Sequence, residues 1–124
     1  KNLKKPIFAS KNVVNENPDF PKIKNRLRNY GMNSGFKKFR IENYCCYLPN
    51  DLAISYALAL ATIGKARRIT LVGFDGYEQN TFLQEEMLDT IELYKNCKKN
   101  INICSLTPTT YPVESDSLYA PKQN

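Results

Sequence analysis

Between two stretches of helical length, Ile69-Thr70-Leu71-Val72 runs straight into Gly73-Phe74-Asp75-Gly76-Tyr77. Four strand-forming residues thus end in a turn that sets two glycines around one carboxylate. A strand set between helices belongs to alternating β and α units, the pattern of an α/β fold with a parallel sheet. In open sheets of that kind, ligands bind just beyond the carboxyl ends of the strands. The turn after Val72 therefore marks the mouth of a candidate site, without saying what the site holds.

The flanking segments extend the pattern. Pro6 to Ala9 reads as a first strand, ending at Ser10-Lys11-Asn12. Pro21 to Tyr30 places Ile23, Leu27 and Tyr30 at helical steps, with Gly31 as the stop, which predicts a short amphipathic helix. Lys38 to Cys46 predicts a second strand. Leu52 to Ile63, capped by Asn50 or Asp51 and stopped by Gly64, predicts a helix apolar almost all round and therefore buried. Its alanines, Ala53, Ala57 and Ala61, form a narrow face suited to close approach to a sheet. The strand Ile69–Val72 is apolar except for Thr70, as expected when both faces are covered. Thr81 with Gln84 matches a capping box. The helix it opens, Phe82 to Cys97, carries Leu83, Met87, Ile91 and Tyr94 on one stripe. Ile101 to Leu106 predicts a fourth strand, and Pro108 and Pro112 bar regular structure after it. The expectation is a small three-layer, Rossmann-like α/β domain over residues 1–112, with about four parallel strands and covering helices. Residues 113–124 read as a loosely ordered tail.

The 124 residues suit one domain, and 42% apolar content supports a core. No apolar run reaches the ~18 residues needed to span a bilayer. Lys1 to Lys11 lacks the apolar stretch of a leader, and with Lys rather than Met in first place a piece of a longer protein is expected. The net charge of +6 is uneven. Residues 1–40 hold 11 basic and 2 acidic side chains (+9); residues 41–124 hold 7 and 10 (−3). The basic third favours solvation of a surface over nucleic-acid binding, for which charge steering is the sole warrant. Cys45, Cys46, Cys97 and Cys104 form no Cys-x-x-Cys pair, so reduced thiols in a cytoplasmic protein are expected. Cys45 and Cys46 should face opposite sides of a strand, and Cys104 the core.

The strand exits predict a ligand site holding Asn12, Asn50, Gly73, Asp75, Gly76, Tyr77, Ser105 and Thr107. Asp75 either accepts hydrogen bonds from ligand hydroxyls or caps the N–H groups of Gly76 and Tyr77. Gly73 and Gly76 either permit positive φ or let a ligand approach the backbone. Tyr77 either stacks on a ring or packs. Ser105, Thr107 and Thr109 either bind a polar ligand or satisfy irregular backbone. The chain has no His, which removes Ser-His-Asp and Cys-His chemistry and the usual zinc sites. Neither a P-loop nor a Gly-x-Gly-x-x-Gly element follows a strand. No catalytic residue, cofactor or metal is expected.

Four segments in order, Asp51–Ala61, Ile69–Tyr77, Gln84–Met87 and Ser105–Val113, resemble the C-terminal domain of a group of bacterial aldolase-like proteins. There the domain follows a barrel related to HMG-CoA lyase and 4-hydroxy-2-oxovalerate aldolase. The resemblance covers residues 50–113 well and the first third weakly. It implies a role in surface-carbohydrate biosynthesis, an upstream barrel with lyase activity as partner, and a sugar, nucleotide-sugar or phosphorylated ligand. The Gly73–Tyr77 element is also similar to one in Rossmann-like bacterial sialyltransferases, which would put Asp75 and Ser105 to Thr107 beside a nucleotide-sugar. Those transferases and the barrel both use His residues that this chain lacks. An accessory binding domain is thus the first expectation. A structural or homo-oligomerising module and a glycosyltransferase-like domain are the alternatives.

Overall fold

The structure, a computed structural model, describes residues 5–117 and 119. It is mixed α/β, with strands hydrogen-bonded into three small sheets. β1 (Ile7–Ala9) is followed by two one-turn helices, α1 (Lys11–Val14) and α2 (Phe20–Ile23), and a 3-10 turn. β2 (Leu27–Asn29) then pairs in parallel with β1. β3 (Gly31–Asn33) pairs in parallel with β5 (Cys45–Tyr47), and β4 (Arg40–Ile41) lies antiparallel to β5. Helix α3 (Ala53–Ile63) leads to β6 (Ile69–Leu71), and helix α4 (Thr81–Lys95) to β7 (Ile103–Ser105). β8 (Glu114–Ser115) joins β7 in parallel, so β7 is the middle strand of the third sheet.

The expected helix over Pro21–Tyr30 is the largest departure. It stops at Ile23, and the chain turns extended at Leu27. Long-range bonds decide this. The Tyr30 hydroxyl donates to the carbonyl of Glu42 at 2.7 Å and contacts that of Cys45 at 3.1 Å. The Tyr30 carbonyl accepts from the Tyr56 hydroxyl of α3 at 2.7 Å. Such contacts outweigh the weak propensity of a ten-residue segment. Gly31 is therefore not a helix stop. It opens β3 where a Cβ would stand 3.0 Å from that of Cys45. The expected strand over Lys38–Cys46 is a hairpin, β4 and β5, which adds an antiparallel pair to the expected parallel set.

Both long helices form where expected, with altered ends and faces. In α4, Met87, Thr90, Ile91 and Tyr94 are buried on one stripe. Its N-cap is Asn80 rather than Thr81, with Asn80 Oδ1 accepting from the Leu83 N–H at 3.1 Å. That leaves Gln84 free for another task. In α3 the buried residues are Ser55, Leu58, Ala59 and Thr62, whereas Ala53 and Ala57 face outward. The alanine face is thus not the packing face, because the heavier Leu58 removes more apolar area from water. Beyond α3 the left-handed residue is Lys65 (φ +57), not Gly64 (φ −72).

β6 is also less covered than expected. Leu71 is buried, Thr70 exposed and Val72 58% exposed, so the strand alternates. The doubly covered strand is β7, buried at all three residues. Cys46 and Cys104 are buried and Cys45 half-buried, and all four cysteines are free. Residues 113–117, assigned to the tail by sequence, hold β8, and Val113 packs against the core. The rest of that tail, residues 118 and 120–124, lies outside the described residues. One core joins Tyr30, Phe39, Ile41, Cys46 and Leu48 to Leu58, Leu71, Ile91, Tyr94 and Ile103.

This core makes stability sensitive to alkali. Burial first, then the neighbouring Cys45, pushes the Cys46 thiol up to about 11. Burial first, then Cys46, pushes the Tyr56 phenol up to about 12. Burial likewise raises Tyr30 well above the ordinary phenol range. Each group keeps its proton in the folded chain where the unfolded chain has released it. Stability is therefore full below about pH 9 and falls as pH rises from there towards 12. Urea midpoints measured across that range should hold level up to about pH 8.5 and then decline. Midpoints level to about pH 11 would contradict these shifts.

Candidate ligand-binding site

The turn after β6 is held in place by the loop after β7. The Gly73 N–H donates to Thr107 Oγ1 at 2.9 Å. The Thr109 hydroxyl donates to the Phe74 carbonyl. The Asp75 carbonyl accepts from both the N–H and the hydroxyl of Thr110, at 3.0 and 3.1 Å. Gln84 closes the ring from α4: Oε1 accepts from the Tyr77 N–H at 2.8 Å, and Nε2 donates to Thr110 Oγ1 at 2.8 Å. Both glycines are needed for conformation, with φ of +77° at Gly73 and +125° at Gly76. At Gly76 a Cβ would also overlap Thr110 Oγ1.

These bonds separate the expected site residues into three groups. Gly73, Asp75, Gly76 and Tyr77 do come together, lining a cleft of about 540 Å³ with Leu52, Ala53, Ile54, Phe74, Met87 and Tyr111. Asp75, Gly76 and Tyr77 also border a second hollow that continues to Asn80. Asn50, Ser105 and Thr107 serve the scaffold. Asn50 Nδ2 donates to Thr90 Oγ1 at 2.7 Å, and its Oδ1 accepts from the Ser55 hydroxyl and the Leu52 N–H. This amide locks the start of α3 to the middle of α4. Ser105 is buried, its hydroxyl donating to the Thr107 carbonyl at 2.7 Å. Asn12 stands exposed in α1 and does not line the cleft.

Asp75 differs from its neighbours. It does not cap the turn, since the Tyr77 N–H goes to Gln84. Its side chain is exposed, and among the described residues no donor reaches its carboxylate. The cleft therefore presents one free carboxylate, among the described residues, on a backbone that many bonds hold still. Leu52, Ala53 and Ile54, at the start of α3, line the same cleft. Tyr111 and Tyr77 supply phenols. Burial, then the nearby Tyr77, raises the Tyr111 phenol, which stays a neutral hydroxyl at physiological pH.

Leu52, Ile54, Met87 and Tyr111 were not expected at the site. The first three look like core positions of helices, and only packing of α3 beside α4 reveals that one end of that core stays open. Among the described residues, no cluster of His, Cys, Asp or Glu could hold a metal, and no helix is long and apolar enough to cross a membrane. Compared with family models, curated proteins and solved structures, the chain matches none.

Proposed function

We propose that this chain is a Rossmann-like accessory domain of an aldolase-like protein of surface-carbohydrate biosynthesis, binding a sugar or nucleotide-sugar in the Gly73–Tyr77 cleft. The observation that carries the reading is the Asp75 carboxylate, unpartnered among the described residues on a turn clamped by Thr107, Thr109, Thr110 and Gln84. A carboxylate accepts from two vicinal hydroxyls at once. Tyr77, 47% exposed, offers a face to a sugar or base ring. A negative charge in the cleft favours hydroxyls over phosphate as the group nearest Asp75, so a phosphorylated ligand would point its phosphate elsewhere. The upstream barrel is the proposed partner, and lyase activity would belong to it.

A second reading rests on a separate observation. Val72, Tyr77 and Phe82 are all large, apolar and exposed, and Tyr77 lines the cleft itself. Such a group suits a surface that mates with the barrel or with another copy.

Titration of the isolated chain with cytidine nucleotides, nonulosonic acids and neutral hexoses, followed by amide NMR, tests the first reading. Shifts should centre on Gly73 to Tyr77 and Leu52 to Ile54. Asp75→Asn should weaken the bound sugar by about tenfold, the value of one charge-assisted contact. Absence of shifts there at millimolar ligand would remove the sugar reading. Binding to the separately expressed barrel, lost on Phe82→Asp, would then favour the second.

A further inference from the structure

A further cleft, of about 420 Å³, opens at the other end of α4. Lys38, Arg40 and Glu42 from the β4 hairpin form one wall, and Asn96, Lys98 and Lys99 the other. Phe39, Ile41, Leu93 and Cys97 complete the lining. Leu93 lies six residues beyond Met87, roughly 9 Å further along the helix axis, so this cleft is separate from the one at Asp75. Four basic residues and one acidic residue line it, a local charge of +3 (four minus one).

Two of the cations build the walls. Lys99 Nζ donates to the Ile41 carbonyl at 2.7 Å, tying the end of α4 to β4. Arg40 stands 3.8 Å over the Tyr47 ring and 3.6 Å from Glu42. The other two, Lys38 and Lys98, are exposed and have no partner among the described residues. They come from segments sixty residues apart in the chain, and they line one cleft because the hairpin packs on α4 through Phe39 against Tyr94 and Ile41 against Lys99. Lysines after a helix favour its dipole, which accounts for Lys98 and Lys99. It does not account for Lys38 and Arg40 on the facing wall. Like charges gathered in a concave, partly apolar cleft focus a positive potential. That cost is relieved by a bound anion.

We propose that this cleft is a binding site for a small phosphate-bearing anion, held between Lys38 and Lys98 with Arg40 and Lys99 completing the ring of charge. Its volume suits a diphosphate group with a small substituent rather than an extended polymer, and only one short hairpin and one helix end contribute to it.

The probe is inorganic pyrophosphate, titrated into the full chain at about physiological ionic strength, where unspecific surface attraction is screened. Saturable binding is expected, with amide shifts over residues 38–42 and 96–99 and none at Gly73 to Tyr77. The double variant Lys38→Gln, Lys98→Gln replaces exposed side chains, and its unchanged circular dichroism would show that the fold is kept. It should weaken pyrophosphate at least about tenfold, whereas Lys22→Gln, Lys24→Gln, equally basic but outside the cleft, should not. Four results would each overturn the proposal: no saturation, shifts spread over every lysine, equal losses in the two double variants, or a response to an acidic peptide with none to pyrophosphate. The last would make the cleft a protein-docking surface.

Discussion

Gly76→Ala is expected to lower the stability of this domain by about 3–5 kcal/mol, summing backbone strain with lost loop bonds. At φ +125° an L side chain is strained. The added methyl would also overlap Thr110 Oγ1 and crowd Gln84 Oε1 at 3.2 Å. Those two atoms hold the turn, so moving them releases the Tyr77 N–H and leaves the Asp75 carbonyl with the Thr110 N–H alone. Gly73→Ala is the internal control: φ is positive there too, but a Cβ meets nothing within 4 Å. It should cost only about 1 kcal/mol. Urea denaturation of both variants gives the comparison, and equal losses would mean that the contact with Thr110 is unimportant. Since whole domains are stable by only ~5–15 kcal/mol, Gly76→Ala should also abolish ligand shifts at the cleft.

Tyr94→Ala is expected to cost about 3–5 kcal/mol, the usual loss for a large aromatic truncated in a core. The side chain is fully buried, with its ring edge-on to Phe39 at 5.5 Å between centroids. The phenol adds a polar share. It shares a hydrogen bond of 2.7 Å with Thr62 Oγ1 on α3 and accepts from the Ile101 N–H at 2.9 Å before β7. Tyr94→Phe keeps the ring and should cost about 1–3 kcal/mol, because the Ile101 N–H loses its acceptor. Thr62 keeps its bond to the Leu58 carbonyl and loses less. A Tyr94→Phe protein as stable as the parent in thermal melts would show that water replaces the phenol.

The two long helices and the strands between and after them could be read directly from residue order. α4 carries its core residues at regular steps, and β6 and β7 are short apolar runs bounded by turn residues. The Gly73–Tyr77 turn was equally readable, because glycines around an Asp after a strand have few other uses. The first third was not. Ile23, Leu27 and Tyr30 are spaced as on a helix, yet Tyr30 exchanges bonds with Glu42, Cys45 and Tyr56, all distant in the chain. Periodicity reports what one face of a segment would bury, not which partner arrives to cover it.

The site divides in the same way. Local order alone established that a constrained turn with one carboxylate leaves β6, since φ preferences and strand ends are properties of neighbours in the chain. Packing assigned the roles. It turned Asn50, Ser105 and Thr107 into scaffold, recruited Gln84 from α4 to the turn, and left Asp75 as the free acceptor. It also brought Lys38 and Lys98 to the lining of one cleft. Hydrogen-bond partners are settled by distance in space, and segments far apart in the chain have no local signal that reports it.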